Sequence, residues 1–194
     1  VTLPQHFKNN GYYSVGLGKI FDNRSVDGSY EGVSWSTQFL QGRPNQYYHN
    51  NDNGRNGYQD PEVHQAINQY NNYIASNNIT STTAKREARK LFPLSKPATE
   101  GHHDIPDDGY VDGARTNYAL LKMEEAANSG KPFFLAVGFT KPHLPFVAPK
   151  KYWDMYERDN ISIHPEQGRD NSIPSISFHN NHELVNNYSD IPLN

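Results

Sequence analysis

The sequence predicts an α/β fold whose sheet is at least partly parallel. Residues 133–139 form a near-continuous apolar run, Phe-Phe-Leu-Ala-Val-Gly-Phe, of the kind found in strands that are buried on both faces. An amphipathic helix predicted over 111–128 stops at Gly130 and leads into this run through Lys131-Pro132. Because a helix that leads into a buried strand is half of a βαβ unit, we expect parallel neighbours in the sheet.

The opening segment repeats this order of helix, turn and strand. Thr2 is a suitable N-cap for a short helix with Pro4 in its first turn, and Gly11 is a suitable C-terminal stop. Residues 12–17, Tyr-Tyr-Ser-Val-Gly-Leu, predict a second strand, which ends at Gly18-Lys19. Helix, turn and strand in this order are typical of α/β proteins.

The remaining elements are predicted with shorter patterns. They are helices over 61–74, 83–91 and 150–156, one or two helical turns within 179–188, an edge strand over 161–163, and a loop over 93–106. The buried stripe of the long helix is predicted to contain Val111, Ala114, Tyr118, Leu121 and Met123 or Glu125.

Composition excludes several classes of protein. The 194 residues carry a net charge of -3 with a pI near 6.3, so there is no basic footprint for nucleic acid. The longest apolar run, 133–139, is far shorter than a membrane span. The sequence has no cysteine, which excludes disulfides, thiolate metal sites and a cysteine nucleophile within this stretch.

Both ends of the sequence have the character of an internal segment. The chain opens with Val1-Thr-Leu-Pro rather than an initiator methionine, and it closes with Asp190-Ile-Pro-Leu-Asn without a terminal helix or strand. We therefore expect this stretch to be an internal piece of a larger protein. Its oligomeric state is left open by the sequence.

Cationic side chains follow the carboxyl ends of the two predicted strands, which we call the strand exits. Lys19 follows the first strand, and Lys141 and His143 follow the second on a proline-rich loop. Ligands of open α/β sheets bind beyond the carboxyl ends of the strands, so these groups are suited to an anion such as sulfate, phosphate or carboxylate. The alternative interpretation is that Lys141 and His143 are ordinary loop residues.

The sequence offers neither a recognisable nucleophile nor a clear metal site. Residues 16–19, Gly-Leu-Gly-Lys, lack the length and the Ser/Thr of a P-loop, and no Gly-x-Ser-x-Gly elbow occurs. A metal held by His102, His103, Asp104, Asp107 and Asp108 is one interpretation of the acidic loop, and a solvated surface loop is favoured over it.

Three segments resemble the formylglycine-dependent sulfatases. Residues 2–12 with Gly18-Lys19 resemble the early part of that family. Residues 131–146, Lys-Pro-Phe-Phe-Leu-Ala-Val-Gly-Phe-Thr-Lys-Pro-His-Leu-Pro-Phe, are more specific and are similar to the branch of iduronate-2-sulfatase and its bacterial relatives. Residues 178–184, Phe-His-Asn-Asn-His-Glu-Leu, with residues 188–192, Tyr-Ser-Asp-Ile-Pro, also resemble the bacterial branch. The 37–105 stretch matches poorly, which indicates a variable insertion within the catalytic domain.

The resemblance implies a fold like that of alkaline phosphatase, a large α/β sandwich with a mixed, largely parallel sheet. It implies a formylglycine nucleophile made from a Cys/Ser-x-Pro-x-Arg motif, and a calcium ion. The motif does not occur here; Ser95-Lys-Pro97, for example, is followed by Ala98-Thr99 and not by an arginine at the required position. The early Asp pair and the later Asp-His pair that hold calcium in the family are also absent. Lys19 and His143 map onto the family's sulfate-contacting lysine and histidine, so we expect them to be catalytic, and we expect the isolated stretch to be inactive.

One position departs from the resemblance. Many relatives have a histidine three residues after the Gly-Lys lysine, where this chain has Asp22. An ionised carboxylate 4 Å from a sulfate costs about 4 kcal/mol at an effective dielectric near 20. Either Asp22 points away from the sulfate, or it pairs with a cation, for which Arg24 is the nearest candidate. Our hypothesis is that an Asp22–Arg24 unit shapes the substrate pocket, with Lys141 as a further substrate contact.

The implied substrate is a sulfated glycan or a small sulfate ester. Aromatic side chains suited to stack on sugars are Trp35, Tyr47, Tyr48 and Trp153, although packing is the more common role of such residues. The alternatives are a phosphate or phosphonate ester hydrolase of the same superfamily and a catalytically inactive glycan-binding fragment. The resemblance also implies a periplasmic, extracellular or lysosome-like location.

Overall fold

The computed structural model of the chain describes residues 1–22, 32–40, 57–101, 103–166, 168, 170, 172–178 and 183–191. These residues form two compact units, one built from Val1–Gln59 and Ile105–His143 and the other from Asp60–Asp104 and Leu144–Asn194. The helices are α1 (Leu3–Asn9), α2 (Pro61–Ser76), α3 (Thr82–Arg89), α4 (Val111–Ala127), α5 (Lys150–Trp153) and α6 (Glu183–Asn187). The strands are β1 (Tyr13–Gly18), β2 (Thr99–Glu100), β3 (Phe133–Gly138) and β4 (Phe146–Val147).

The first unit contains the parallel pair that the sequence predicts. Strands β1 and β3 are parallel and in register from Tyr13 opposite Phe133 to Gly18 opposite Gly138. The predicted α/β class and the parallel pairing are confirmed. Since α4 precedes β3 and packs on both strands, the segment is the expected half of a βαβ unit.

Helix α1 begins where the sequence predicts. The Thr2 hydroxyl accepts a hydrogen bond from the Gln5 amide at 3.2 Å, and the Gln5 side chain accepts one from the Thr2 amide at 3.3 Å. This reciprocal capping box satisfies two amides that a helix start leaves without partners. Phe7 then stacks on Phe134 of β3 with ring centroids 4.6 Å apart, which holds α1 on the sheet.

The buried strand of this unit is β1 rather than β3. Val15 and Leu17 are 2% and 1% exposed, whereas Phe133 is 39% exposed. The prediction that 133–139 is buried on both faces is therefore wrong. The more buried strand, β1, has chain segments on both sides. It pairs with β3 on one side, and on the other side its Gly18 amide donates to the Leu40 carbonyl at 2.8 Å. Within the described residues, β3 pairs with β1 alone and is therefore more exposed.

Helix α4 packs through small residues. Ala114 and Ala126 are fully buried, and Ala119 is 9% exposed. The predicted stripe is correct at Ala114 but wrong in its second half, because Leu121 is 38% exposed. Alanines bring the helix axis close to the strands, so the larger side chains of this helix project away from the sheet.

The second unit contains helices α2 and α3 near their predicted positions. Asp60 caps α2 by accepting a hydrogen bond from the Glu62 amide at 2.7 Å. A parallel β2–β4 pair joins Thr99–Glu100 to Phe146–Val147, within what the sequence predicts to be loop. Strands this short have no periodicity to detect. The edge strand predicted at 161–163 is absent, and these residues are exposed coil.

Candidate anion-binding site

The exits of β1 and β3 lie side by side at one edge of the parallel pair. Gly18 and Gly138 are opposite each other in the register, and the Lys19 amide donates to the Gly138 carbonyl at 2.9 Å. Gly18 has a φ of +78°, a conformation that favours glycine. A β-carbon at Gly138 would lie 2.6 Å from the Lys19 nitrogen, so the two chains approach closely here. Lys19, the residue after this close approach, is exposed.

The segment after β3 folds into a tight loop. The His143 amide donates to the Thr140 carbonyl at 3.0 Å, and the Lys141 ammonium donates to the His143 carbonyl at 2.9 Å. The His143 side chain is exposed. The loop therefore uses the Lys141 ammonium for its own geometry and presents the imidazole at the surface.

The Asp112 carboxylate, in the first turn of α4, holds the beginning of this loop. Its two oxygens accept from the Thr140 amide at 2.9 and 3.0 Å, and Oδ2 also accepts from the Lys141 amide at 2.8 Å. A carboxylate that bridges two successive amides fixes the orientation of both peptide planes. The first turn of a helix is also where a negative charge is favoured by the helix dipole.

Arg115 completes this arrangement one helical turn later. Its Nη1 donates to Asp112 Oδ1 at 2.6 Å and to the Thr140 hydroxyl at 3.0 Å, and its side chain is 5% exposed. The same side chain passes the end of β1, since a β-carbon on Gly18 would lie 2.6 Å from Arg115 Nε. Arg115 thus contacts both strand exits.

Asp112 and Arg115 are not among the site residues that the sequence predicts. The available signal was their spacing of three residues on a predicted helix, which favours an ion pair. Nothing in that spacing indicates that the pair would also bind the loop at Thr140 and Lys141, because those residues are 28 and 29 positions away from Asp112.

The structure describes only part of the predicted Asp22–Arg24 unit. Asp22 is exposed, three residues after Lys19. Arg24 lies outside the described residues, as do Tyr47 and Tyr48 among the aromatic candidates. The pairing of Asp22 with Arg24 therefore stays a prediction.

Metal-ligating side chains do not form a cluster in the described residues. No group of three or more His, Cys, Asp or Glu residues in this part of the chain is arranged to hold a metal ion. Of the acidic-loop candidates, His102 lies outside the described residues, and His103 Nε2 lies 3.3 Å from Asp60 Oδ2. The Lys19 and His143 side chains are of types that can attract an oxyanion and donate hydrogen bonds to it.

Two aromatic candidates for sugar contact have different environments. Trp35 is 2% exposed and stacks on Phe39 with ring centroids 5.3 Å apart, so it is a core residue rather than a sugar platform. Trp153 borders a pocket of about 650 Å³ in the second unit, together with Tyr156 and Arg158. Its indole N–H donates to the Glu100 carbonyl at 3.2 Å.

None of the helices in the described part of the chain combines the length and the apolar character that crossing a membrane requires.

Comparison with known proteins points to one class, the sulfatases. Iduronate 2-sulfatase of Mus musculus is 29% identical over 182 residues, which is 91% of this chain and 27% of that protein. A sulfatase of Formosa agariphila is 28% identical over 92% of this chain and 29% of its own length. Choline-sulfatase of Rhizobium meliloti is 46% identical over 62 residues, or 32% of this chain. No family model matches.

The resemblance that the sequence predicted is confirmed by these alignments, which extend through nearly the whole chain. The chain spans less than a third of the length of these relatives.

Proposed function

We propose that this chain is part of a sulfuric ester hydrolase and supplies cationic groups that bind the sulfate. The observation that carries the proposal is the register of β1 and β3, which brings the exit at Lys19 beside the exit that leads to His143. Sulfatases that align over 91% and 92% of the chain support sulfate, rather than another anion, as the ligand.

In this proposal Lys19 and His143 have different roles. The Lys19 ammonium is a compact positive charge that stabilises the negative charge on the sulfate oxygens. The His143 imidazole donates a hydrogen bond or a proton to the bridging oxygen as the leaving group departs. Lys141 contacts the substrate only if its ammonium exchanges the His143 carbonyl for a sulfate oxygen.

The remaining parts of the enzyme are proposed to lie beyond these residues. The chain has no cysteine, and it covers 27–29% of the length of two sulfatase relatives. We place the formylglycine, the calcium ligands and the rest of the mixed-sheet sandwich in the wider protein. The assignment of 37–105 as an insertion and the periplasmic, extracellular or lysosome-like location are parts of the same proposal.

The substrate is proposed to be a sulfated glycan or a small sulfate ester. Trp153 and Tyr156, which border the pocket in the second unit, have the aromatic surface that sugars stack on. A phosphate or phosphonate ester is the alternative substrate, because its tetrahedral oxyanion suits the same cations. An inactive glycan-binding protein is the other alternative, since the described residues include no nucleophile motif.

The test uses the intact protein with three matched substrates, an aryl sulfate, the corresponding aryl phosphate and a sulfated oligosaccharide. Release of sulfate, with slower or no release of phosphate, is the expected result. Faster release of phosphate would replace the proposal with the phosphatase alternative. Binding of the oligosaccharide without release of sulfate would leave the inactive glycan-binding protein.

A further inference from the structure

Among the described residues of the first unit, Asp112 and Arg115 form an ion pair with several hydrogen bonds that the proposed mechanism does not use. Asp112 receives the Thr140 and Lys141 amides, and Arg115 binds both Asp112 and the Thr140 hydroxyl. The bonds to the loop all go to Thr140 and Lys141, the second and third residues after β3.

We propose that Asp112 and Arg115 are positioning residues for the sulfate-binding groups, a role that rests on the proposed function. The pair acts on both exits. The Asp112 carboxylate fixes the peptide planes at Thr140 and Lys141. The Cδ and Nε atoms of Arg115 lie against Gly18, the residue before Lys19. Both side chains arise from the first turns of a helix of 17 residues, which is a rigid base for the loop.

The hydrogen bonds made by Asp112 and Arg115 involve charged groups. Hydrogen bonds in which one or both partners are ionised are shorter and about twice as strong as neutral ones. The side chains of Asp112 and Arg115 are 19% and 5% exposed, so water competes little for either group. Local unfolding of the loop at Thr140 and Lys141 would require several of these hydrogen bonds to break together.

The pair is also electrically balanced. Arg115 neutralises a carboxylate that lies directly behind the loop proposed to bind an anion. Loss of Arg115 leaves that negative charge in place, which weakens anion binding. Loss of the Asp112 charge frees a guanidinium and loosens the loop instead. The two substitutions are therefore expected to differ in KM even where both lower kcat.

The same helix provides a matched control. Lys122 and Glu125 form an ion pair with the same spacing and the same 2.6 Å distance, but the Glu125 side chain is 43% exposed and the pair does not bind the loop. Solvent-exposed ion pairs of this kind contribute little to the free energy of unfolding. Glu125→Gln is expected to leave turnover, anion binding and loop protection unchanged.

The first experiment measures amide hydrogen exchange of residues 139–143 in the intact protein, with Asp112→Asn and Thr140→Val compared with Glu125→Gln. Asn places a donor toward one of the two amides, and Val removes only the hydroxyl that Arg115 binds. Faster exchange in both test variants, greater for Asp112→Asn, is expected. Exchange equal to that of Glu125→Gln would overturn the positioning role, and this readout does not depend on sulfatase activity.

The second experiment is a double-mutant cycle on sulfate-ester turnover. Asp112→Asn is expected to lower kcat about ten- to hundredfold, the range for a misplaced catalytic group. It should add little to His143→Ala, because the two changes act on one group. Fully additive losses would show that Asp112 acts only through general stability, and unchanged kcat would also reject positioning.

The third measurement is calorimetric titration of Arg115→Gln and Asp112→Asn with inorganic sulfate. Weaker binding by Arg115→Gln than by Asp112→Asn is the expected order, and the reverse order would overturn the charge-balance part of the inference. If the wild-type protein releases no sulfate from any ester, the proposed function fails, while exchange and sulfate binding still decide whether this pair positions the loop.

Discussion

The indole ring of Trp35 lies directly against the backbone of Gly16, so that a β-carbon at Gly16 would fall 2.6 Å from Trp35 Cζ2. Trp35 is 2% exposed, and its other ring neighbours include Phe21 and Phe39. The absence of a side chain at Gly16 of β1 thus makes room for the Trp35 indole, the largest buried side chain of the core. This contact fixes the segment from Trp35 to Leu40 along the outer edge of β1.

We expect Gly16→Ala to destabilise the intact protein by about 1–3 kcal/mol, the usual cost of overpacking a filled core. Gly32→Ala is the control, because no atom of the described residues lies within 4 Å of a β-carbon at that position. Chemical denaturation followed by Trp fluorescence measures both changes. Equal stability of the two variants would mean that Trp35 can move away from β1 at little cost.

The cationic strand exits are tested by Lys19→Ala and His143→Ala. Each is expected to lower turnover of sulfate esters by about 10²-fold or more, as for removal of a charge-stabilising or acid–base group. Lys131→Ala is the control, because Lys131 is exposed and precedes the opposite end of β3. Near-normal turnover in either test variant would remove that residue from the site.

Asp22 is tested separately, because its carboxylate is unexpected close to an anion. Asp22→Ala is expected to change either turnover or the preference between sulfated substrates, and Arg24→Ala should have a related effect if the two residues form one unit. Steady-state kinetics with two sulfate esters of different size measures both properties. Unchanged kinetics in Asp22→Ala would end the hypothesis of an orienting Asp22–Arg24 unit.

The Asp60 cap of α2 is expected to contribute more than the Ser81 cap of α3. Asp60 is 3% exposed, caps Glu62 and lies 3.3 Å from His103, whereas Ser81 is exposed and caps Ala84 alone. Asp60→Ala should therefore cost about 2 kcal/mol and Ser81→Ala about 1 kcal/mol or less. Denaturant unfolding of the two variants gives the comparison, and equal losses would show that burial adds nothing to the Asp60 cap.

The second unit should lose stability in alkaline solution because of Tyr188. Burial, and then the charge of Glu183, raise the pKa of Tyr188 above its ordinary value of 10.0. The folded state therefore holds the phenolic proton more tightly than the unfolded state. This contribution is complete below pH 10.0 and is lost as pH rises through the folded-state pKa.

Tyr188→Phe is expected to remove this part of the alkaline loss. Lys96 provides an opposite contribution, because burial and the nearby Arg89 lower its pKa below 10.5, so stability rises with pH in the window below that value. The comparison of wild type with Tyr188→Phe isolates the tyrosine, since both proteins keep Lys96. Identical alkaline unfolding profiles of the two proteins would contradict the assignment.

The local features of the first unit were predictable from the sequence. The N-cap at Thr2, the strand after Gly11 and the long helix that leads into β3 all depend on residues close together in the chain. Caps and apolar runs stabilise structure over one or two turns, so their pattern is visible without knowledge of the fold. The parallel pairing followed from the order of these elements.

Contacts between distant segments determine which strand is buried and which residues hold the candidate site. Leu40 covers the second edge of β1, and Asp112 binds amides 28 and 29 residues away. Such partners are selected by packing between distant segments, which leaves no periodic trace in the sequence. The cations at the strand exits can be recognised from the sequence alone. The role of the Asp112–Arg115 pair behind the loop requires the fold, because a buried charge is stable only where its partners converge.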